Sequence, residues 1–382
     1  MSTIKVNKIE NTSTVDGGIE VDTSGHVTVD GLQMPTAGPL SNRNLLVNGA
    51  CLINQRQTTP TVGTANTFGP VDHFETRTAG SQWQGQLSQE TVSVNNEFTS
   101  CLRVKTTTAE TTVDGTDQIV VETHMEGQDI QHLHQSTSGA KSITLSFWVR
   151  SSRPGTYIVK LYRLDGSAGR QLNKTYTIST SDWEYKTFTF VGDTSGGAIP
   201  DTSSEGMRVS FQLAAGSDFT SGTQPTTWTA YSNAVWAAGH SENSFMTTVN
   251  ATWDVTGVQL EIGEKATPFE HRSYCDELAK CMRYFQKQVY PLVICGMSAS
   301  DQINKSNWFN YAVPMRATPS TLTIKDNTGT AGKVHFQPLN SGGSNQNITV
   351  QNSSEYGHNL RKNGSQTGNS QFIYAFEAKA EL

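Results

Sequence analysis

The 382 residues carry 28 Lys and Arg against 34 Asp and Glu, a net charge of −6, and only 16% are charged where an average soluble domain has about 25%. Without clustered cations to displace counterions from phosphate, nucleic acid is not an expected partner. No apolar run approaches the roughly 20 residues that cross a bilayer, and Met1-Ser2-Thr3-Ile4-Lys5 has no apolar core of a secretory signal, so membrane insertion is not expected either.

Polarity comes instead from Thr, Ser, Asn, Gln and Gly, a mixture that favours strands punctuated by turns, and the predicted class is all-β. At the start of the chain, Thr3 to Ile9, Gly18 to Asp22 and His26 to Asp30 alternate with period two between Gly-containing turns. Three strands with one narrow apolar face bury too little to stand alone, so residues 1–40 read as a short β arm that pairs with other copies of the chain or docks on a larger body. Met34-Pro35-Thr36-Ala37-Gly38-Pro39 breaks the alternation as a linker.

Residues 41–270 then give strands at fairly regular spacing, the signature of a jelly-roll β-sandwich. In Ile143 to Arg150 one face holds Ile143, Leu145, Phe147 and Val149 and the other Thr144, Ser146, Trp148 and Arg150; Trp183 to Phe190 alternates likewise. One connecting α-helix is expected within 271–288: Ser273 and Asp276 form a capping box, and Tyr274, Leu278, Met282 and Phe285 recur near helical spacing. Residues 289–382 return to alternating segments between Gly, Asn and Ser turns, enough for a small C-terminal β-sandwich of about six strands. Cys51, Cys101, Cys275, Cys281 and Cys295 contain no C-x-x-C pair and are odd in number, so they read as thiols rather than zinc ligands or a complete disulfide set. Cys275 and Cys281 point about 120° apart on a helix and are not expected to bridge.

An ordered series of motifs resembles a known family. Asn44-Leu45-Leu46-Val47-Asn48-Gly49, Ile53-Asn54-Gln55-Arg56-Gln57, Val71-Asp72-His73-Phe74, Glu126-Gly127-Gln128-Asp129-Ile130, Ile143 to Ser151, Trp183-Glu184-Tyr185, Val258 to Gly263, Ala266 to Glu270 and Tyr274 to Gln286 are similar, in this order, to the jelly-roll module of bacteriophage tail-fibre proteins. The resemblance covers about residues 42–290. Val313 to Pro319 resembles the small β domain that often follows it, and Ser2-Thr3-Ile4-Lys5-Val6 resembles, over a shorter stretch, the start of fibre proteins from phages of marine cyanobacteria. The resemblance implies a homotrimeric virion fibre, assembled in the host cytoplasm, attached through its N-terminus to other tail or baseplate proteins and presenting a carbohydrate-binding-module-like domain to a host-surface glycan or receptor. A purely structural head fibre, baseplate or adaptor role is the alternative, and a capsule depolymerase is the second.

For glycan binding the candidates are aromatics outside the regular strands: Trp83 among Gln82, Gln84 and Gln86, and Trp228, Tyr231 and Trp236 in an irregular insertion. Sugar C–H groups stack on such rings, whereas packing at sandwich ends or between subunits is the competing role. Trp148, Trp183 and Trp253 fall on strands and are assigned to the core. His132 and His134, if on a strand, would share one face as metal ligands around a threefold axis. Jelly rolls of this kind imply a structural Ca2+ held by edge carboxylates, for which Glu75 or Asp254 would serve; no other cofactor is expected. No G-x-S-x-G, H-E-x-x-H or phosphate-binding Gly loop occurs, and the long parallel β-helix usual in depolymerases needs a repeat the chain lacks. The expectation is a binding protein, not an enzyme.

Overall fold

The computed structural model describes residues 8–10, 18–21, 27–29, 32–33, 41–63, 66–80, 82–164, 169–288, 292–295, 308–338, 342–362 and 370–382. It divides into two compact units, residues 1–52 with 58–272, and residues 53–57 with 273–382. Both are built from antiparallel sheets, and the chain is all-β in class.

In the arm, Lys8–Glu10, Gly18–Val21, Val27–Val29 and Leu32–Gln33 form a four-stranded meander, one short strand more than the alternation predicts. The expected residues before Lys8 and the linker at 34–40 lie outside the described residues. The register sets Ile9 opposite Ile19, Ile19 opposite Val29, and Val21 opposite Val27. Paired residues project to the same side, so these apolar groups share a face. Ile9 and Ile19 remain 59% and 44% exposed on it.

The first unit continues as a jelly-roll sandwich. Its back sheet runs, edge to edge, through Thr229–Ala230, Arg170–Ile178, Gly155–Arg163, Glu205–Ala215, Gln118–Glu126, Phe74–Ala79 and Thr67–Phe68. Its front sheet runs through Glu184–Phe190, Ile143–Ser151, Thr252–Ile262, Phe98–Thr108, Gln84–Val94 and Thr61–Val62. Period-two alternation decides what lies between them. Leu145, Phe147 and Val149 point inward from the front sheet to meet Leu161, Val209 and Phe211 of the back sheet, all fully buried. Phe147 stands edge-on to Phe211 at 5.0 Å and to Tyr176 at 5.5 Å, and Trp253 lies 5.5 Å from Phe211. Each such ring contributes about 1.5–3 kcal/mol by leaving water. Trp253 is a core residue, as its strand position predicts.

Residues 216–248, with the short helices Ser217–Thr220, Asn233–Trp236 and Ser244–Thr247, add a satellite core of Phe219, Trp236 and Ala237 against Tyr162 and Ala215 of the back sheet. Underneath, the wholly buried Lys160 Nζ sits 3.7 Å from the Trp236 ring centre and donates to Gln212 Oε1 at 2.6 Å. Burial drives its pKa well down.

In the second unit Ser273 caps the helix Tyr274–Met282, its hydroxyl accepting from the Asp276 amide at 3.2 Å and donating to the Asp276 carboxylate at 2.6 Å. The helix stops six residues short of the expected end. Phe285–Gln288 is instead a strand, paired with Ala375–Lys379; Phe285 and Gln286, on opposite faces of it, are both buried, and ladder bonds satisfy the backbone. Ala375–Lys379 also pairs with Thr321–Lys325, and a six-stranded sheet runs from Leu292–Cys295 to Phe309–Asn310. Their core holds Met315, Ile324, Val334, Phe336 and Phe376, with His358 fully buried among Phe309, Tyr311, Tyr374 and Phe376.

Candidate functional site

The solvent face of the front sheet is a polar ladder crossed by one aromatic row. On Ile143–Ser151, Ser146, Trp148 and Arg150 project away from the core, and Trp148 is paired with Tyr185 on one side and Thr256 on the other. The two rings lie 5.3 Å apart and are inclined at 46°. Tyr185 is 46% exposed, and its phenol pKa is raised by partial burial while the Ser146 hydroxyl bonds it. The register slips between Ser146 and Trp148, and near this bulge Gly257 adopts φ +61°. A Cβ on Gly257 would meet Phe98 Cζ at 2.7 Å, so only glycine lets the Phe98 ring lie on the strand.

These groups line a groove of about 440 Å³, completed by Asn95, Glu97 and the loop residues Ala266 to Phe269. Phe98 and Phe269 pack edge-to-face at 5.0 Å. The loop is hung on Glu261, a buried carboxylate that accepts from the Thr267 amide at 2.8 Å, the Thr267 hydroxyl at 2.6 Å and Gln259 Nε2 at 2.8 Å. Arg43 holds its outer side through Thr267 Oγ1 and Pro268 O at 2.7 and 3.0 Å. Gly257→Ala is expected to destabilise the first unit by about 1–2 kcal/mol, the scale of a left-handed backbone position without glycine, and to push Phe98 into the groove. Thermal unfolding checks this, and an unchanged midpoint would refute the assigned role of Gly257.

The residues singled out for glycan contact lie elsewhere, and most are covered. Trp83 is 3% exposed, with Nε1 donating to Thr106 Oγ1 at 3.1 Å; Trp228 is buried with Nε1 on Val191 O at 2.7 Å; Trp236 lies over Lys160. Each ring closes part of a core and offers no face for stacking. Tyr231 alone is exposed, and its ring stands edge-on to Trp236 at 5.3 Å. Trp148, assigned to the core, is the one that reaches the groove. His132 and His134 do not share a strand face: Gly127–Leu133 is a 3-10 turn and His134 follows it in left-handed conformation.

No family model and no curated protein matches the chain. Among solved structures it is similar to a CBM4 module, at 14% identity over 50% of this chain and 95% of that one, with a TM-score of 0.26. It is also similar to the CBM22-1 xylan-binding domain from Paenibacillus barcinonensis Xyn10C, at 9% identity over 60% and 100% of the two chains and a TM-score of 0.29. A third neighbour is the enzymatically active domain of tailspike protein 4 from bacteriophage CBA120, at 11% identity, 60% of this chain, 24% of that one and a TM-score of 0.28.

Among the described residues one group brings metal-type donors together. Glu75, Glu122 and His124, all buried, place one ligand atom each within 4.8 Å of one another. His124 Nε2 lies 3.4 Å from Glu75 and Nδ1 lies 3.4 Å from Glu205, while Glu122 receives Arg77 at 3.0 Å, Arg208 at 3.3 Å and the Ser210 hydroxyl at 2.7 Å. Burial works against a charged imidazole, but the Glu205 and Glu75 carboxylates beside it raise its pKa to about 9. Glu75, Glu122 and Glu205 thus face Arg77, Arg208 and a protonated His124, and the charges close without an ion. An imidazole donor also departs from the all-oxygen set that suits Ca2+. Asp254, the other carboxylate considered for Ca2+, lies on the front sheet with both oxygens taken: Arg103 bonds it at 2.7 and 2.8 Å and Arg150 at 2.7 Å. The two carboxylates therefore do not converge on one site.

Proposed function

We propose that this chain is a virion fibre component, of the tail, that attaches a phage to a host-surface glycan through the groove on the front sheet. The observation that carries the reading is the pair Trp148 and Tyr185, inclined rings lining the groove amid neutral hydrogen-bonding groups of Asn95 and the Ala266 to Pro268 loop. Rings of this kind cover sugar C–H faces while amides and hydroxyls bind the hydroxyls. The tail-fibre resemblance of residues 42–290 supports the virion setting. The apolar face on the arm, with Ile9 and Ile19 exposed, supports association of several copies there, and the resemblance favours three. Repetition on one particle then multiplies weak single-site binding through effective concentration.

Binding rather than hydrolysis fits the groove. A glycosidase needs two carboxylates flanking the bond, about 5–9.5 Å apart, and Glu97 is the sole carboxylate among the lining residues. Glu261, beneath the loop, has its oxygens engaged by Thr267 and Gln259.

Tyr185→Ala is expected to weaken retention on host-surface polysaccharide by roughly tenfold, about 1.4 kcal/mol, with little loss of stability because the ring is half exposed. Titration of both proteins against immobilised polysaccharide measures this, and equal retention would remove the groove from the function.

A further inference from the structure

We propose that the glycan taken by this groove is uncharged, read through ring stacking and neutral hydrogen bonds alone; the proposal rests on the glycan reading above. A uronate, sulfate or phosphate on a sugar is recognised by a guanidinium or ammonium with donors to spare, most strongly by the two-pronged geometry of arginine. No cation is among the residues lining the groove, and those nearest it lie beside carboxylates or are tied into the loop. Arg103 and Arg150 converge on Asp254 at 2.7–2.8 Å, Arg103 also lies 3.8 Å from Glu90, and Arg150 is laid over the Trp183 ring at 4.7 Å. Two positive and two negative charges cancel in that cluster. Lys186 donates to Glu184 at 2.6 Å, and Arg43 is bound into the loop through Thr267 and Pro268.

What remains is negative. Glu97 is the sole charged side chain among the lining residues, its carboxylate reached by Asn95 Nδ2 at 3.4 Å and His271 Nε2 at 3.2 Å, and the buried Glu261 carboxylate lies directly behind Thr267. An acidic sugar entering here would lose its hydration next to like charge and gain no counter-charge. A neutral sugar finds the Tyr185 and Trp148 faces and the Asn95 amide, whose oxygen accepts from hydroxyl groups.

The test is an array of bacterial surface glycans, divided into uncharged members and those bearing uronate, sulfate or phosphate, probed with the full chain at 20 and 500 mM NaCl. Tyr185→Ala identifies signals that depend on the groove, and Glu97→Lys is the charge-reversed probe. The expected result is Tyr185-dependent binding to uncharged glycans that changes less than twofold with salt, acidic glycans at least tenfold weaker, and a severalfold, salt-sensitive gain for acidic glycans in Glu97→Lys. Tyr185-dependent binding that prefers acidic glycans and fades with salt overturns the neutral-ligand proposal while leaving the glycan reading intact. Absence of Tyr185-dependent binding to either class overturns the glycan reading and this proposal with it.

Discussion

Glu122→Gln is expected to lower the unfolding free energy of the first unit by about 3–5 kcal/mol, the range for removing one partner of a buried ion pair. Glu122 is fully buried on the Gln118–Glu126 strand and receives Arg77, Arg208 and Ser210. Burial opposes its charge, but Arg208 and Arg77 outweigh burial and hold its pKa near 2. A depressed carboxyl contributes stability that is complete above the unfolded value of about 4.5 and is lost as pH falls towards 2. Glutamine cannot offset two guanidinium charges. Arg77, a third exposed, can turn to water, whereas the side chain of Arg208 is only 16% exposed and bears most of the penalty. Denaturant titration of Glu122→Gln, and of the double variant with Arg208→Met, separates the causes: the second change should restore part of the loss. A loss below about 1 kcal/mol in the single variant would mean that the network is not a stabilising element.

Acidification from pH 6.5 to 4 is expected to remove about 3 kcal/mol through His358 in the second unit and a similar amount through His240 in the first. Burial depresses both imidazoles from 6.5 to about 4. Between those values the unfolded chain binds a proton that the folded chain refuses, so stability is complete above 6.5, falls as pH drops and levels below 4. The size follows from about 1.36 kcal/mol per pH unit. Around His358 the neighbours are Phe309, Tyr311, Tyr374 and Phe376, and Nδ1 has no hydrogen-bond partner. His124 acts in the opposite sense: with a pKa raised to about 9, its contribution is complete below 6.5 and lost as pH rises through 9. The first unit is thus weakened on both sides of neutrality, whereas His358 weakens the second only on the acid side. Unfolding midpoints at pH 7, 5.5 and 4 for the parent and for His358→Leu check this. An unaltered acid slope in the variant would show that His358 is not the titrating group.

The sandwich was legible because alternation is a local property. Ile143 to Val149 states its own inward face in the sequence, and the structure buries Leu145, Phe147 and Val149 accordingly. The same alternation places Trp148 beside Ser146 and Arg150 on the outer face, against the large apolar surface that favours a core position for a strand tryptophan. Trp83 misled in the other direction. Its Gln neighbours suggest a surface, yet its ring turns in over Gly85 and bonds Thr106. The fate of Trp228 and Trp236 depends on where an insertion folds back, and nothing near them in sequence names Val191 or Lys160 as their cover. The groove itself draws on residues near 95, 148, 185, 257 and 267, and such convergence arises only from long-range strand pairing. Spacing alone overextends the helix, because Phe285 continues its apolar stripe while the backbone there pairs in a sheet.

Glu261 grips Thr267 by amide and hydroxyl, and Arg43 ties the same short loop from the far side. A ligand arriving there has little loop freedom to freeze, so most of its contact energy is retained as affinity. On the attachment role proposed above, such a site discriminates by shape at first touch, so that encounters with ill-fitting surfaces end quickly.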